Sequence, residues 1–274
     1  MRPRGLACRG VGPGGQGGRV GLRVYVADDA EALGRSVARE AARLLREAVA
    51  ERGVARLLLS TGRSQFTTLA ALVHEQVPWA AVEAFHLDEY VGIGPDHPAS
   101  FRHYLRQRFV RHVPLKAMHE VTTEGNLAAN VEQLAAEVRR APVDVALVGV
   151  GENAHVAFND PPADFATQAA YLVVTLAPEC RAQQVGEGWF GSVASVPEHA
   201  VTMSVSQIMA SRAILSPVPY AVKAPAVRRL LTEDIGPEVP ASILRRHPAA
   251  TLYLDRDSSA LCPPDVLAAC AAGA

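Results

Sequence analysis

The stretch GVGENAHVAFNDPP, residues 149–162, sets a histidine among acids directly after an apolar run. An imidazole titrates near neutrality, so His155 is suited to giving or taking a proton. Its second ring nitrogen needs a partner to hold one tautomer. Glu152, Asn153 and Asp160 are the candidates, and the residue types leave the choice among them open. Two further clusters carry chemistry. HLDEY (86–90) offers Asp88 and Glu89. Successive side chains of extended backbone point to opposite sides, so one carboxylate faces a common site and the other does not. A carboxylate there is a suitable base for a proton next to a carbonyl. STGRSQ (60–65) supplies Ser60, Thr61, Gly62, Arg63 and Ser64, whose hydroxyls and backbone amides suit a phosphate at a helix N-terminus. It lacks the spacing of a Walker loop. Lys223, in YAVKAPAVRRLL, is one of only two lysines, and it has the right charge for a phosphate.

The elements that must position these groups are legible. Apolar runs at 22–27, 55–60, 81–87, 143–150, 169–176, 200–205, 212–218 and 250–255 read as strands. Leu33, Val37, Ala41, Leu44, Leu45 and Ala48 recur at helical spacing, after Asp28 and Asp29 as caps and before Gly53 as a stop. Further helices are expected over 66–76, 100–113, 126–140, 179–187, 220–233 and 241–246, with Asn126 capping the third of these. Strands alternating with helices predict a mainly parallel sheet covered by helices on both faces. Ligands of such sheets bind beyond the carboxyl ends of the strands, where all three clusters fall, which predicts one site built from three loops.

Residues 22–274 read as a single domain, and the Gly- and Arg-rich 1–21 as a disordered leader without a signal-peptide core. A hydrophobic content of 49% supports a sizeable core. The net charge of −1 gives no broad footprint for nucleic acid, and no apolar run has transmembrane length. The four cysteines, at 8, 180, 262 and 270, form no C-x-x-C pair and no zinc-spaced set. That predicts reduced thiols, a cytoplasmic chain and no bound metal. No cofactor is expected. Association with further copies of the chain is left open.

Together FHLDEYVGIGPDHPASFRHYL (85–105), GVGENAHVAFNDPP (149–162) and LLLSTGRSQFTTLAAL (57–72) resemble the glucosamine-6-phosphate deaminase family, within the wider sugar-phosphate isomerase and 6-phosphogluconolactonase group. The resemblance runs from about residue 22 to 260. It implies a modified Rossmann-like α/β sandwich, and an isomerising deamination of a phosphorylated amino sugar through an enediol(amine). It implies that Asp88 is the proton-transfer carboxylate, His155 the ring-opening group, Lys223 a phosphate ligand, and the loop at 60–64 the phosphate cradle. The match is incomplete. Asn153 stands where the family has an aspartate, Asp160 where it has glutamate, and Ala154 where it has glycine, which implies a backbone without positive φ. The segment ECRAQQVGEGWF (179–190) does not match the part that supplies a phosphate-binding arginine; Arg181 is the nearest candidate, with Gln183 and Gln184 as sugar ligands. A sugar-phosphate lactonase and a non-catalytic sugar-phosphate sensor are the alternative readings.

Overall fold

A computed structural model describes residues 6–7 and 21–269. Its strands are β1 (Leu6–Ala7), β2 (Arg23–Ala27), β3 (Ala55–Leu59), β4 (Val82–His86), β5 (Asp88–Tyr90), β6 (Ala117–His119), β7 (Val145–Leu147), β8 (Tyr171–Thr175), β9 (His199–Met203), β10 (Ala213–Val218) and β11 (Ala250–Asp255). Its α-helices are α1 (Ala30–Arg52), α2 (Phe66–Leu72), α3 (Phe101–Arg108), α4 (Leu127–Arg139), α5 (Pro178–Gly186), α6 (Val205–Met209), α7 (Ala224–Thr232) and α8 (Pro264–Ala269). Apart from the Leu6–Ala7 pair, which runs antiparallel to Val24 and Arg23, the leader predicted over 1–21 lies outside the described residues up to Gly21.

The large sheet has the order β1-β2-β11-β10-β7-β3-β4-β6 and is parallel except at β1. Every residue of β3, β7, β10 and β11 is buried. That explains their unbroken apolar runs: both faces of the sheet are covered. The helix caps were readable too. Asp29 accepts from the Ala32 amide, Gly53 ends α1 in the left-handed region, and Asn126 accepts from the Ala129 amide.

Not every expected strand joins this sheet. β8 and β9 form a separate antiparallel sheet in the order β5-β9-β8. The polar end of HLDEY is also strand rather than loop. The chain runs on from β4 through Leu87, whose amide bonds Leu59 O while its carbonyl accepts from Met203. Leu87 therefore ties the two sheets together and fixes the direction of Asp88. Four predicted helices are shorter or tighter than expected: 66–76 ends at Leu72, 100–113 divides into α3 and a 3₁₀ turn Val110–His112, 220–233 divides into a 3₁₀ turn Ala221–Lys223 and α7, and 241–246 lies within a 3₁₀ helix Pro240–Arg246.

Among the described residues no helix is long and apolar enough to cross a membrane. Cys180 and Cys262 are free and buried, and Cys8 and Cys270 lie outside the described residues.

Candidate active site

The four neighbouring strands β10, β7, β3 and β4 end side by side, and the segments that leave them line one cavity of about 830 Å³. Ser60–Ser64 follow β3, Leu87 and Asp88 follow β4, Gly149–His155 follow β7, and Tyr220–Lys223 follow β10. The far wall is α5, with Phe101 and Phe158 beside it. The three predicted loops do converge, and the Lys223 segment joins them.

The phosphate-type loop is held from below and from the side. Ser60 N–H bonds Leu147 O, and the Tyr104 hydroxyl donates to Gly62 O at 2.9 Å. Gly62 has φ +94, which only glycine adopts without strain, and this turns the chain into the 3₁₀ helix Arg63–Gln65 that enters α2. The amides of Thr61, Gly62, Arg63 and Ser64 have no acceptor among the described residues. The Ser60 hydroxyl is buried and unpartnered. Lys223 is only 6% exposed and forms no ion pair among the described residues. Burial pulls its pKa below the ordinary lysine value, against the charges of Glu187 and Glu152. Together these features could hold an anion. Arg63 lines the cavity from an exposed position.

Asp88 and Glu89 take opposite sides, as extended backbone requires. Asp88 lines the cavity with Oδ1 buried and unpartnered. Burial first, and the charge of Glu89 second, push its carboxyl well above the ordinary carboxylate range. His86, the last residue of β4 and two positions earlier, is fully buried, and burial pushes its pKa down to about 3, which favours the neutral imidazole. Glu89 is fully buried on the other side. It accepts from the amides of Tyr90, Phe101 and Arg102, the Ser100 hydroxyl and Arg102 Nε, at 2.7–3.3 Å, closing the N-terminus of α3. Glu89→Ala should therefore cost about 2–4 kcal/mol of stability, since it leaves the Ser100 hydroxyl and the first amides of α3 unpaired in the interior, while Arg102 keeps both bonds to Glu124 at 2.8 Å. Urea unfolding of the variant measures it, and a loss below about 1 kcal/mol would show that water can replace the carboxylate.

The partner of His155 is Asp160. Nδ1 lies 2.9 Å from Asp160 Oδ1. Asn153 is the brace: its Nδ2 donates to the same Oδ1 at 3.0 Å, and its Oδ1 accepts the His155 amide at 3.1 Å. Asp160 Oδ2 accepts the Ala177 amide at the start of α5. Burial raises the Asp160 pKa, but these donors outweigh it and hold the carboxyl below its ordinary value. Asp160 itself does not line the cavity, whereas His155 does. Glu152 sits on the rim, with its backbone amide on Gln183 Oε1 and no bond to the imidazole.

Gly151 makes room for this imidazole. A Cβ there would stand 2.3 Å from His155 Nε2. Nothing in the sequence marks that requirement. Ala154 does adopt the left-handed region, at φ 69, contrary to the expectation drawn from its replacing a glycine. Its amide bonds Gly151 O and its carbonyl accepts from Ala241, so packing imposes a conformation that costs an alanine roughly 1–2 kcal/mol.

Arg181, the residue suggested as a phosphate ligand, does not line this cavity. Its guanidinium turns away from the cavity and donates to Val193 O and Val196 O at 2.8 and 2.9 Å, bracing the 193–196 turn. The reason is helical geometry: Cys180 and Gln184, four residues apart, occupy the buried face of α5, and Arg181 projects from another.

His155, Asp160 and Cys180 place ligand-type atoms within 4.8 Å of one another, a grouping that the sequence spacing did not suggest. Hydrogen bonds already occupy it, and burial pushes the Cys180 thiol up, which disfavours the thiolate a metal needs. The arrangement holds a proton network.

What this geometry can do is hold an anion at one end and move protons at two groups near the other. The glucosamine-6-phosphate isomerases/6-phosphogluconolactonase family model matches residues 28–253. A glucosamine-6-phosphate deaminase of Geobacillus sp. (strain WCH70) is 34% identical, covering 84% of this chain and 93% of the relative. A solved monomeric glucosamine-6-phosphate deaminase superposes with a TM-score of 0.79 at 30% identity, covering 87% of this chain and 99% of that one. A 6-phosphogluconolactonase of Shewanella baltica OS155 shares the fold, with a TM-score of 0.70 at 20% identity, covering 85% and 97%. The chain belongs to the glucosamine-6-phosphate isomerase/6-phosphogluconolactonase family.

Proposed function

We propose that this protein is an isomerising deaminase of a phosphorylated amino sugar, glucosamine 6-phosphate in the first instance. One observation carries the reading: an unpartnered, hard-to-ionise carboxylate, Asp88, lines the same cavity as an acid-braced imidazole and an unpaired buried lysine. His155, held by Asp160, shuttles the proton that opens the sugar ring. Asp88 takes the proton from C2 of the open aldehyde as the substrate's ammonium passes a proton to O1, and Asp88 then delivers a proton to C1. The enolamine between them becomes a C2 iminium, water adds at C2, and ammonia leaves to give the ketose phosphate. A base with a raised pKa suits this double task, because it must both accept and give back the proton near neutral pH. The phosphate is held by the free amides of 61–64, the Ser60 hydroxyl, Lys223 and Arg63.

The sensor alternative rested on Asn153 in place of an acid. Asp160 supplies that acid, so the motive for it is gone. The lactonase alternative rests on shared fold alone. Incubation with glucosamine 6-phosphate should release ammonia and fructose 6-phosphate in equal amounts. Hydrolysis of 6-phosphogluconolactone with no ammonia from any amino-sugar phosphate would overturn the proposal. We place the protein in the cytoplasm, since its described cysteines are free thiols and its substrate is a sugar phosphate.

Lys223→Ala should weaken binding of the phosphorylated sugar by about 1.5–3 kcal/mol and leave the unphosphorylated sugar unchanged. Affinity should also fall on the alkaline side earlier than for an ordinary lysine. The sign follows from the lowered pKa: the ammonium is present below it and lost as pH rises through it. Calorimetric titration with both sugars decides, and an equal loss for both would assign Lys223 another task.

A further inference from the structure

Gln183 and Gln184 are neighbours in α5, and both line the cavity, yet they are not equivalent. Both polar atoms of the Gln183 amide have a partner. Its Nε2 donates to Glu187 Oε1 at 2.7 Å and its Oε1 accepts from the Glu152 amide. Gln184 is 6% exposed, and its Oε1 is buried with no hydrogen-bond partner. A buried orphaned amide oxygen is costly, and rotation about the broad terminal amide torsion brings either amide atom to the cavity. A bound ligand is therefore its natural partner.

The direction of α5 says which part of a ligand. Its first turn touches the proton-handling pair: the Ala177 amide bonds Asp160, and Cys180 lies within 4.8 Å of His155 and Asp160. Its last turn leads to the phosphate loop. Trp189 packs edge-on against Phe66 and Tyr104, and the Tyr104 hydroxyl holds Gly62. The helix thus runs alongside an extended sugar phosphate, from the reacting carbons to the phosphate. Gln184, one turn beyond Cys180 on the same buried face, falls between the two ends.

We propose that Gln184 reads a hydroxyl in the middle of the substrate chain, at C3 or C4, and so sets the enzyme's choice among epimeric sugar phosphates. The inference rests on the sugar-phosphate reading above for the ligand's orientation. A site built to bond a hydroxyl rejects ligands that lack it, because its own polar group is then left buried and unpaired.

The test is a binding cycle that needs no turnover. Wild type and Gln184→Leu are titrated with 2-amino-2-deoxyglucitol 6-phosphate and with its 3-deoxy and 4-deoxy forms. One deoxy form should bind wild type about 10- to 100-fold more weakly than the parent. Gln184→Leu should lose a similar factor for the parent and no further factor for that deoxy form. Independent, multiplying losses at both carbons would overturn the proposal, as would an unchanged affinity in the variant. Gln183→Leu serves as the control for a damaged helix, and its effect should not depend on which hydroxyl is present. A wild type that shows the coupling but never releases ammonia would sink the deaminase reading and leave Gln184 in its role.

Discussion

Asp88→Asn is expected to lower kcat by about 10³-fold or more while leaving KM within a few-fold, because the carboxylate acts in the transition state and adds little to binding. The amide keeps the shape and removes only the ability to take a proton. Stability should stay within about 1 kcal/mol of the parent, since Asp88 Oδ1 has no partner to lose. The pH profile gives a second check. The base works ionised, so the rate falls as pH drops through its pKa. That pKa lies well above the ordinary carboxylate range, so the acid limb of kcat/KM should be displaced upward from about pH 4. In heavy water the wild type should place solvent deuterium at C1 of the ketose phosphate in those turnovers where the Asp88 carboxyl exchanges before it gives its proton back, and the variant should do so at the same reduced rate as its turnover. An undiminished exchange rate in Asp88→Asn would remove Asp88 from the chemistry.

His155→Gln should reduce turnover of the ring form of the substrate by about 10²–10⁴-fold. The argument is positional as well as chemical. The imidazole is fixed from one side by Asp160 and packs from the other against the bare face of Gly151. Gly151→Ala puts a methyl where the ring now stands and should show the same kind of loss with His155 intact. Both variants keep Asp88 and the phosphate site. Calorimetry with an open-chain sugar-alcohol phosphate should find their affinities within a few-fold of wild type. Turnover within a few-fold of wild type in His155→Gln would mean that the histidine only closes its loop.

Much of this was written in the chain. Strands buried on both faces must be apolar throughout, so β3, β7, β10 and β11 announce themselves. A parallel sheet puts every strand's carboxyl end on one edge, so three polar clusters after three such strands had to meet. The alternation of extended backbone separated Asp88 from Glu89 before any fold was known. Tertiary structure decided what depends on distant chain. Asp160 became the partner of His155 because its other oxygen is pinned by the Ala177 amide, an α5 contact no local pattern encodes. Asp88–Tyr90 became a strand because β9 pairs with it. Arg181 left the site because the packing of α5 chose which face to bury, and that same choice left Gln184 inside. Ala154 was driven to positive φ by the loop's closure onto Ala241, against its own preference. Local sequence fixes periodicity and the order of elements along the chain; the direction of a single side chain is set by whatever the completed fold packs against it.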